Sequence, residues 1–189
     1  MNLLVLDIET TGLDPDKNCI VSIAAKLFDK DRKVLSSYVT NCFDNKAEIH
    51  LQALTVNRFT LGELNQHRSE KEALSAFVDW LLTLSKTEEV TVSGHNVAFD
   101  TNFLKKRLKN INMEGFDSIA SYKVIDTASL GGLLILSGYI RPDTKISLAS
   151  LVKELGLAYN PSKHHSAEYD VEITANLLFA MVDLLKSKV

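Results

Sequence analysis

The chain has 189 residues, with 24 acidic and 21 basic side chains, a formal net charge of −3 and a hydrophobic content of 46%. That length suits one α/β domain with a sizeable core, and the composition excludes a disordered or collagen-like chain. The charge balance speaks against a broad basic surface for nucleic acid, and no run approaches the ~20 apolar residues of a membrane-spanning helix. Cys19 and Cys42 lie in apolar stretches without metal-ligand spacing or a disulfide framework. The first apolar run, Leu3 to Leu6, is too short for a signal peptide and has no basic flank, so a reduced, intracellular, cytoplasmic protein is expected.

In chain order, Asn2 to Ile8 reads as a strand buried on both faces, because its apolar run hardly alternates. Thr10 to Pro15 is turn chemistry. Cys19 to Phe28 and Val34 to Cys42 form a hairpin about the polar turn Asp29 to Arg32. Ser69 and Glu72 make a capping box that opens a helix with the stripe Ala73, Phe77, Trp80, Leu81 and Leu84. A short strand, Val90 to Ser93, stops at Gly94, and Asn96 is positioned to cap the helix through Phe99, Phe103, Leu104 and Leu108. Lys123 to Ile125 is a last strand, followed by helical patterns at Ser129–Leu136, Leu148–Leu155 and Ala167–Lys186. No composition break divides the sequence. One domain over residues 1–189 is expected, an α/β fold with a mixed sheet of about five strands flanked by helices.

Four carboxylates interrupt this apolar pattern. Asp7 and Glu9 break the most hydrophobic strand and, two residues apart, point to the same face. On the final helix the stripe Ile173, Leu177, Met181 and Leu184, extended back one step, reaches Asp170. Asp100 lies one turn before Phe103 and Leu104, near the start of its own helix. A strand-end pair reaching solvent, with two helix-start acids stabilised by the dipole, is the plain alternative. A divalent cation cluster explains all four at once, and hard oxygen donors point to Mg²⁺ or Mn²⁺ rather than zinc. His165, five residues before Asp170 in a polar loop, suits a general base.

Asp7-Ile8-Glu9-Thr10-Thr11-Gly12-Leu13, Gly94-His95-Asn96-Val97-Ala98-Phe99-Asp100 and His165-Ser166-Ala167-Glu168-Tyr169-Asp170 resemble, in order, the three motifs of the DEDDh exonucleases. That family includes ribonuclease T, oligoribonuclease and the proofreading subunit of bacterial DNA polymerase III. The resemblance implies a ribonuclease H-like fold and removal of nucleoside 5′-monophosphates from 3′ ends. It implies two metal ions, one held by Asp7, Glu9 and Asp170 and one bridged by Asp7 and steadied by Asp100. His165, rather than His164, takes the general-base position; the sister branch has a tyrosine where this chain has Ser166. By the same carry-over, Thr10 would lie beside the sugar of the terminal nucleotide and Leu13 would wedge against its base.

Other features have two readings. Lys105, Lys106, Arg107 and Lys109 are expected to form a solvated helix face, with a phosphate contact as the alternative. Lys163 is a phosphate candidate beside His165, Trp80 is expected in the core, and Phe59 either stacks on a base or packs inside. His50, His67 and His95 receive no catalytic role, and Asp126-Thr127 starts a helix. The rival function is a non-catalytic module binding nucleic acid or a polymerase or repair partner; a metal phosphatase lacks the motif order. The substrate is a nucleic-acid 3′ end, DNA or RNA, and homodimerisation stays open. With few residues after the last helix, a stand-alone nuclease or a partner docking on the folded surface is expected. Two bound cations would turn the charge of −3 slightly positive, concentrated where a phosphate sits.

Overall fold

The computed structural model describes residues 2–84, 90–113, 116 and 120–187. Strands β1 (Asn2–Thr10), β2 (Ile20–Phe28) and β3 (Val34–Phe43) form an antiparallel meander. Two short helices follow, α1 (Leu51–Asn57) and α2 (Leu61–Leu64), then a two-residue strand β4 (Arg68–Ser69). Next come α3 (Glu70–Leu84), β5 (Val90–Gly94), α4 (Val97–Asn110) and β6 (Ala120–Asp126). The chain continues through α5 (Thr127–Leu136), α6 (Leu148–Glu154) and the long α7 (Ala167–Lys186).

The sheet has six strands in the order β4-β3-β2-β1-β5-β6, with β5 and β6 parallel to β1. The expected count of about five falls short by β4, whose two residues are too few to show any period. β1 and β2 are buried along nearly their whole length, as unbroken apolar runs require, while the edge-side β3 is largely open to solvent. Leu4, Leu6 and Ile8 face a core with α3 and α4, built around Phe77, Leu81, Phe103 and Leu104. Leu3 and Val5 face the other way, onto Ala167, Val171 and Ala175 of α7. The stripe read as the inward face of α7 is therefore only one of two: Ile173, Leu177 and Met181 pack against α5 and α6. The small side chains at i, i+4 and i+8 form the face that meets the sheet.

Several local readings hold. Ser69 and Glu72 make the reciprocal bonds of a capping box, and Asp126 caps α5 by accepting from the Ala128 amide at 3.1 Å. Trp80 packs against Phe77 and Tyr38, its indole N–H donating to Ser36 Oγ at 3.0 Å. Phe59 packs edge-on to His67 against a small core under α1, the inward of its two readings.

Others are corrected. Asn96 occupies the cap position of α4 in a left-handed conformation with no side-chain cap bond; its amide donates instead to Asp126 Oδ1 at 2.8 Å. Arg107 is not on a solvated face. It is 8% exposed, hydrogen-bonded through Nε to Glu70 and through its terminal nitrogen to Glu70 and Asp44. Position 107 lies three and four residues after Leu104 and Phe103, so the helix turns it inward.

Candidate active site

The local chain explains why carboxylates gather at one end of the sheet. β1 pairs with β5 only through Asn2–Val5, so its second half runs past the end of the parallel neighbour. Asp7 and Glu9 sit on that overhang and continue the Leu3–Val5 face, toward α7. On the β5 side the ladder has ended, and the Ile8 amide donates to Asp100 Oδ1 at 3.0 Å. Asp100, in the first turn of α4 and buried, is thereby held against the strand between the two acids. The opening lies at the carboxyl ends of parallel strands, where the sheet's connectivity changes direction, a place where α/β folds bind ligands.

Gly94 makes this junction possible. A Cβ there would lie 2.9 Å from the Leu6 carbonyl oxygen and 3.0 Å from Val97 Cβ. Gly94→Ala should cost about 1–3 kcal/mol by overpacking and move the start of α4 away from β1. The melting temperature should fall; an unchanged value would show that the contact relaxes freely.

α7 brings the fourth carboxylate. Asp170 is buried in its first turn, and ligand oxygens of Asp7, Glu9 and Asp170 all lie within 4.8 Å of one another. Asp170 Oδ2 accepts from the His165 amide at 3.0 Å, and Asp170 Oδ1 lies 3.0 Å from His164 Nδ1. The two imidazoles lie against each other with centroids 3.8 Å apart and planes tilted by 34°. His165 adopts φ 63°, a left-handed conformation that carries strain for a non-glycine residue and persists only where its surroundings fix it. The crevice encloses about 530 Å³ and is walled further by Leu13, His95, Phe99 and Ser147.

Electrostatically the cluster is dominated by buried carboxylates. Burial, with Asp100, Glu9 and Asp170 adding repulsion, holds the Asp7 carboxyl well above the ordinary carboxylate range. Burial and then Asp170 and Asp100 push Glu9 up to about 8. Asp100 rises to about 7, chiefly by burial, although the Ile8 amide favours its charged form. Among the described residues, no lysine or arginine forms an ion pair with Asp7, Glu9 or Asp100. Buried anions without cations are unstable arrangements unless a cation arrives. The donor set is all hard oxygen, which fits a divalent ion such as Mg²⁺ or Mn²⁺. His165 is held below the ordinary histidine value by burial, then His164 and Arg58, with Asp170 opposing.

A family model described as Exonuclease matches residues 4–178. The chain belongs to the exonuclease family. The PolC-type DNA polymerase III of Thermotoga petrophila is 33% identical over 184 residues, 97% of this chain. Ribonuclease T of Blochmanniella pennsylvanica is 27% identical over 197 residues, covering 97% of this chain and 85% of that protein. The chain spans only 12% of the length of the PolC-type polymerases. Among solved structures, the E. coli ExoI–ssDNA complex gives a TM-score of 0.75 at 20% identity, over 99% of this chain and 40% of that one. The nuclease domain of 3′hExo, a DEDDh family member bound to rAMP, gives 0.74 at 14% identity over 96% and 92%. The fold is ribonuclease H-like.

Within this exonuclease frame, the five residues singled out by sequence meet at one crevice, four as carboxylates and His165 on the loop before α7. Leu13, 80% exposed, stands at the mouth. Thr10 is buried instead, its hydroxyl donating to the Gly12 carbonyl at 2.6 Å. Lys163 is exposed on the histidine loop. Three residues lay outside the functional reading. His164 was set aside for its neighbour, yet its ring is the one bonded to Asp170. His95 lines the crevice, its Nδ1 2.9 Å from Thr127 Oγ1 and its Nε2 without a partner among the described residues. Phe99 stands 37% exposed beside Asp100, although it lies four residues before Phe103 and packs against it; in the first turn of α4 its outer edge opens onto the crevice.

Proposed function

We propose that this chain is a divalent-metal-dependent 3′–5′ exonuclease acting as one domain over residues 1–189, releasing nucleoside 5′-monophosphates from nucleic-acid 3′ ends. The convergence of Asp7, Glu9, Asp100 and Asp170 on one crevice, with His165 beside them, is the observation that carries this reading. Two Mg²⁺ or Mn²⁺ ions held by these carboxylates would supply the positive charge that stabilises attacking and leaving oxygens in phosphoryl transfer. Asp7, Glu9 and Asp170 form one face of the site, and Asp100 is kept in register by the Ile8 amide. His165 takes a proton from the attacking water, a role its lowered basicity permits near neutral pH. Its backbone bond to Asp170 keeps the loop close to the acids.

Leu13 at the mouth would abut the terminal base, and the fixed Thr10–Gly12 turn presents it. A solved neighbour binds single-stranded DNA and another holds rAMP. These support an open 3′ end as substrate, of either sugar. The polymerase relatives make a polymerase a proposed partner.

The reading is tested with matched DNA and RNA oligonucleotides labelled at the 3′ or 5′ end. With Mg²⁺ or Mn²⁺, 3′ label should appear as mononucleotide at once, while 5′ label shortens stepwise. Release of 5′ label as mononucleotide first, or no degradation of either polymer, would sink the proposal.

A further inference from the structure

The loop that carries His165 has an anchor outside the three motifs. α1 is tied to the end of β1 at both of its ends. The His50 amide donates to the Thr11 carbonyl at 2.8 Å, and Asn57 Nδ2 donates to the Thr10 carbonyl at 2.9 Å. Arg58, the next residue, closes α1 in a left-handed conformation with φ 61°. Its guanidinium reaches across to the histidine loop, donating to the Pro161 carbonyl at 3.1 Å and to the Ser162 carbonyl. The loop is braced within itself as well. The Asn160 amide donates to the Tyr169 hydroxyl, and Asn160 Oδ1 accepts from Ser162.

Two neighbouring residues therefore join two parts of the site: Asn57 holds the strand end bearing Asp7 and Glu9, and Arg58 holds the loop bearing His165. We propose, building on the exonuclease reading, that Arg58 is a positioning residue that staples the histidine loop to the α1–β1 unit. A planar guanidinium satisfies two adjacent carbonyls from one rigid group, which a lysine ammonium on a flexible stem does not reproduce. The staple uses backbone acceptors, so the loop sequence need not complement it. It also helps to keep His165 in its strained conformation, alongside its amide bond to Asp170 and the bonds within the loop.

The backbone of Arg58 offers a clean variant. Arg58→Gly removes the guanidinium and relieves the left-handed strain, so the protein should melt at the same temperature or higher. Amide exchange measured in EDTA should nonetheless speed up about tenfold or more at Asn160, Lys163 and His165. In steady-state degradation of a 3′-labelled oligonucleotide, kcat should fall about tenfold with KM nearly constant. Arg58→Lys should resemble Arg58→Gly in exchange and rate. Unchanged exchange at the three amides would overturn the staple, whatever the activity. So would a raised KM with kcat preserved, which would make Arg58 a substrate contact, or full rescue by lysine, which would make it a point charge. An inactive wild type would remove the exonuclease reading, and the exchange data would still decide the staple.

Discussion

Asp7→Asn should lower phosphodiester hydrolysis by about 10³-fold or more and, in the absence of metal, raise the melting temperature. The opposite signs come from one cause. Asp7 is a buried carboxyl beside Asp100, Glu9 and Asp170, and no lysine or arginine pairs with it among the described residues, so neutralising it removes a burial cost and a repulsion that the apo fold must bear. Relief on the order of 1–3 kcal/mol corresponds to roughly 2–4 °C per kcal/mol for a chain of this size.

The same electrostatics set a pH dependence. A carboxyl whose pKa is higher folded than unfolded adds stability that is complete below the unfolded value and lost as pH rises through the folded one. For Glu9 that window runs from 4.5 to about 8, and Asp100 loses its share by about 7. Metal-free protein should therefore grow less stable from about pH 5 to about pH 9. Mg²⁺ or Mn²⁺ should restore it, by ~2.7 kcal/mol at a hundred times the dissociation constant. The increment should be greater at the alkaline end and smaller in Asp7→Asn. Scanning calorimetry with and without EDTA reads all of these. A wild-type melting temperature indifferent to both pH and metal would show that the four carboxylates do not share a cation site.

Arg107→Ala should be the most damaging single change away from the crevice, costing about 3–5 kcal/mol. Total stability for a domain is roughly 5–15 kcal/mol, so the loss would remove about a third to a half of a mid-range value. Glu70 is 3% exposed, and one of its oxygens also accepts the Ile20 amide at 2.8 Å. Without the guanidinium it becomes a buried charge whose remaining partner is one backbone donor. Pairing Arg107→Met with Glu70→Gln keeps an acceptor for Ile20 and removes both charges. That double variant should be more stable than Arg107→Ala alone, by denaturant titration. If Arg107→Ala lost under ~1 kcal/mol, the pair would count as a surface interaction.

Much of the site was legible because its chemistry contradicts its surroundings. Asp7 and Glu9 are conspicuous in a strand that is otherwise apolar, and Asp170 lies where a helical stripe calls for a hydrophobic residue. Arg107 was legible too: its spacing from Phe103 and Leu104 marks it as inward, and the surrounding lysines masked the signal. α2 likewise opens with a reciprocal capping box between Thr60 and Glu63, the pattern that revealed α3. Other features have no sequence signature. Left-handed backbone at Asn96 and His165 is an occasional state even for these residue types, so their identity does not place it, and with it goes the geometry in which His164 meets Asp170. Arg58 bonds to carbonyls about a hundred residues away, and carbonyls look alike in every sequence.

The two-sided packing of α7 has a consequence for biosynthesis. The first three strands pair locally and can form early, but Asp170 reaches the crevice only once α7 has settled between the sheet and the α5–α6 layer. A nascent chain still short of that helix holds Asp7, Glu9 and Asp100 without their fourth partner or the histidine loop. Such a chain would hold an incomplete cluster, and the docking of α7 would be the step that completes it.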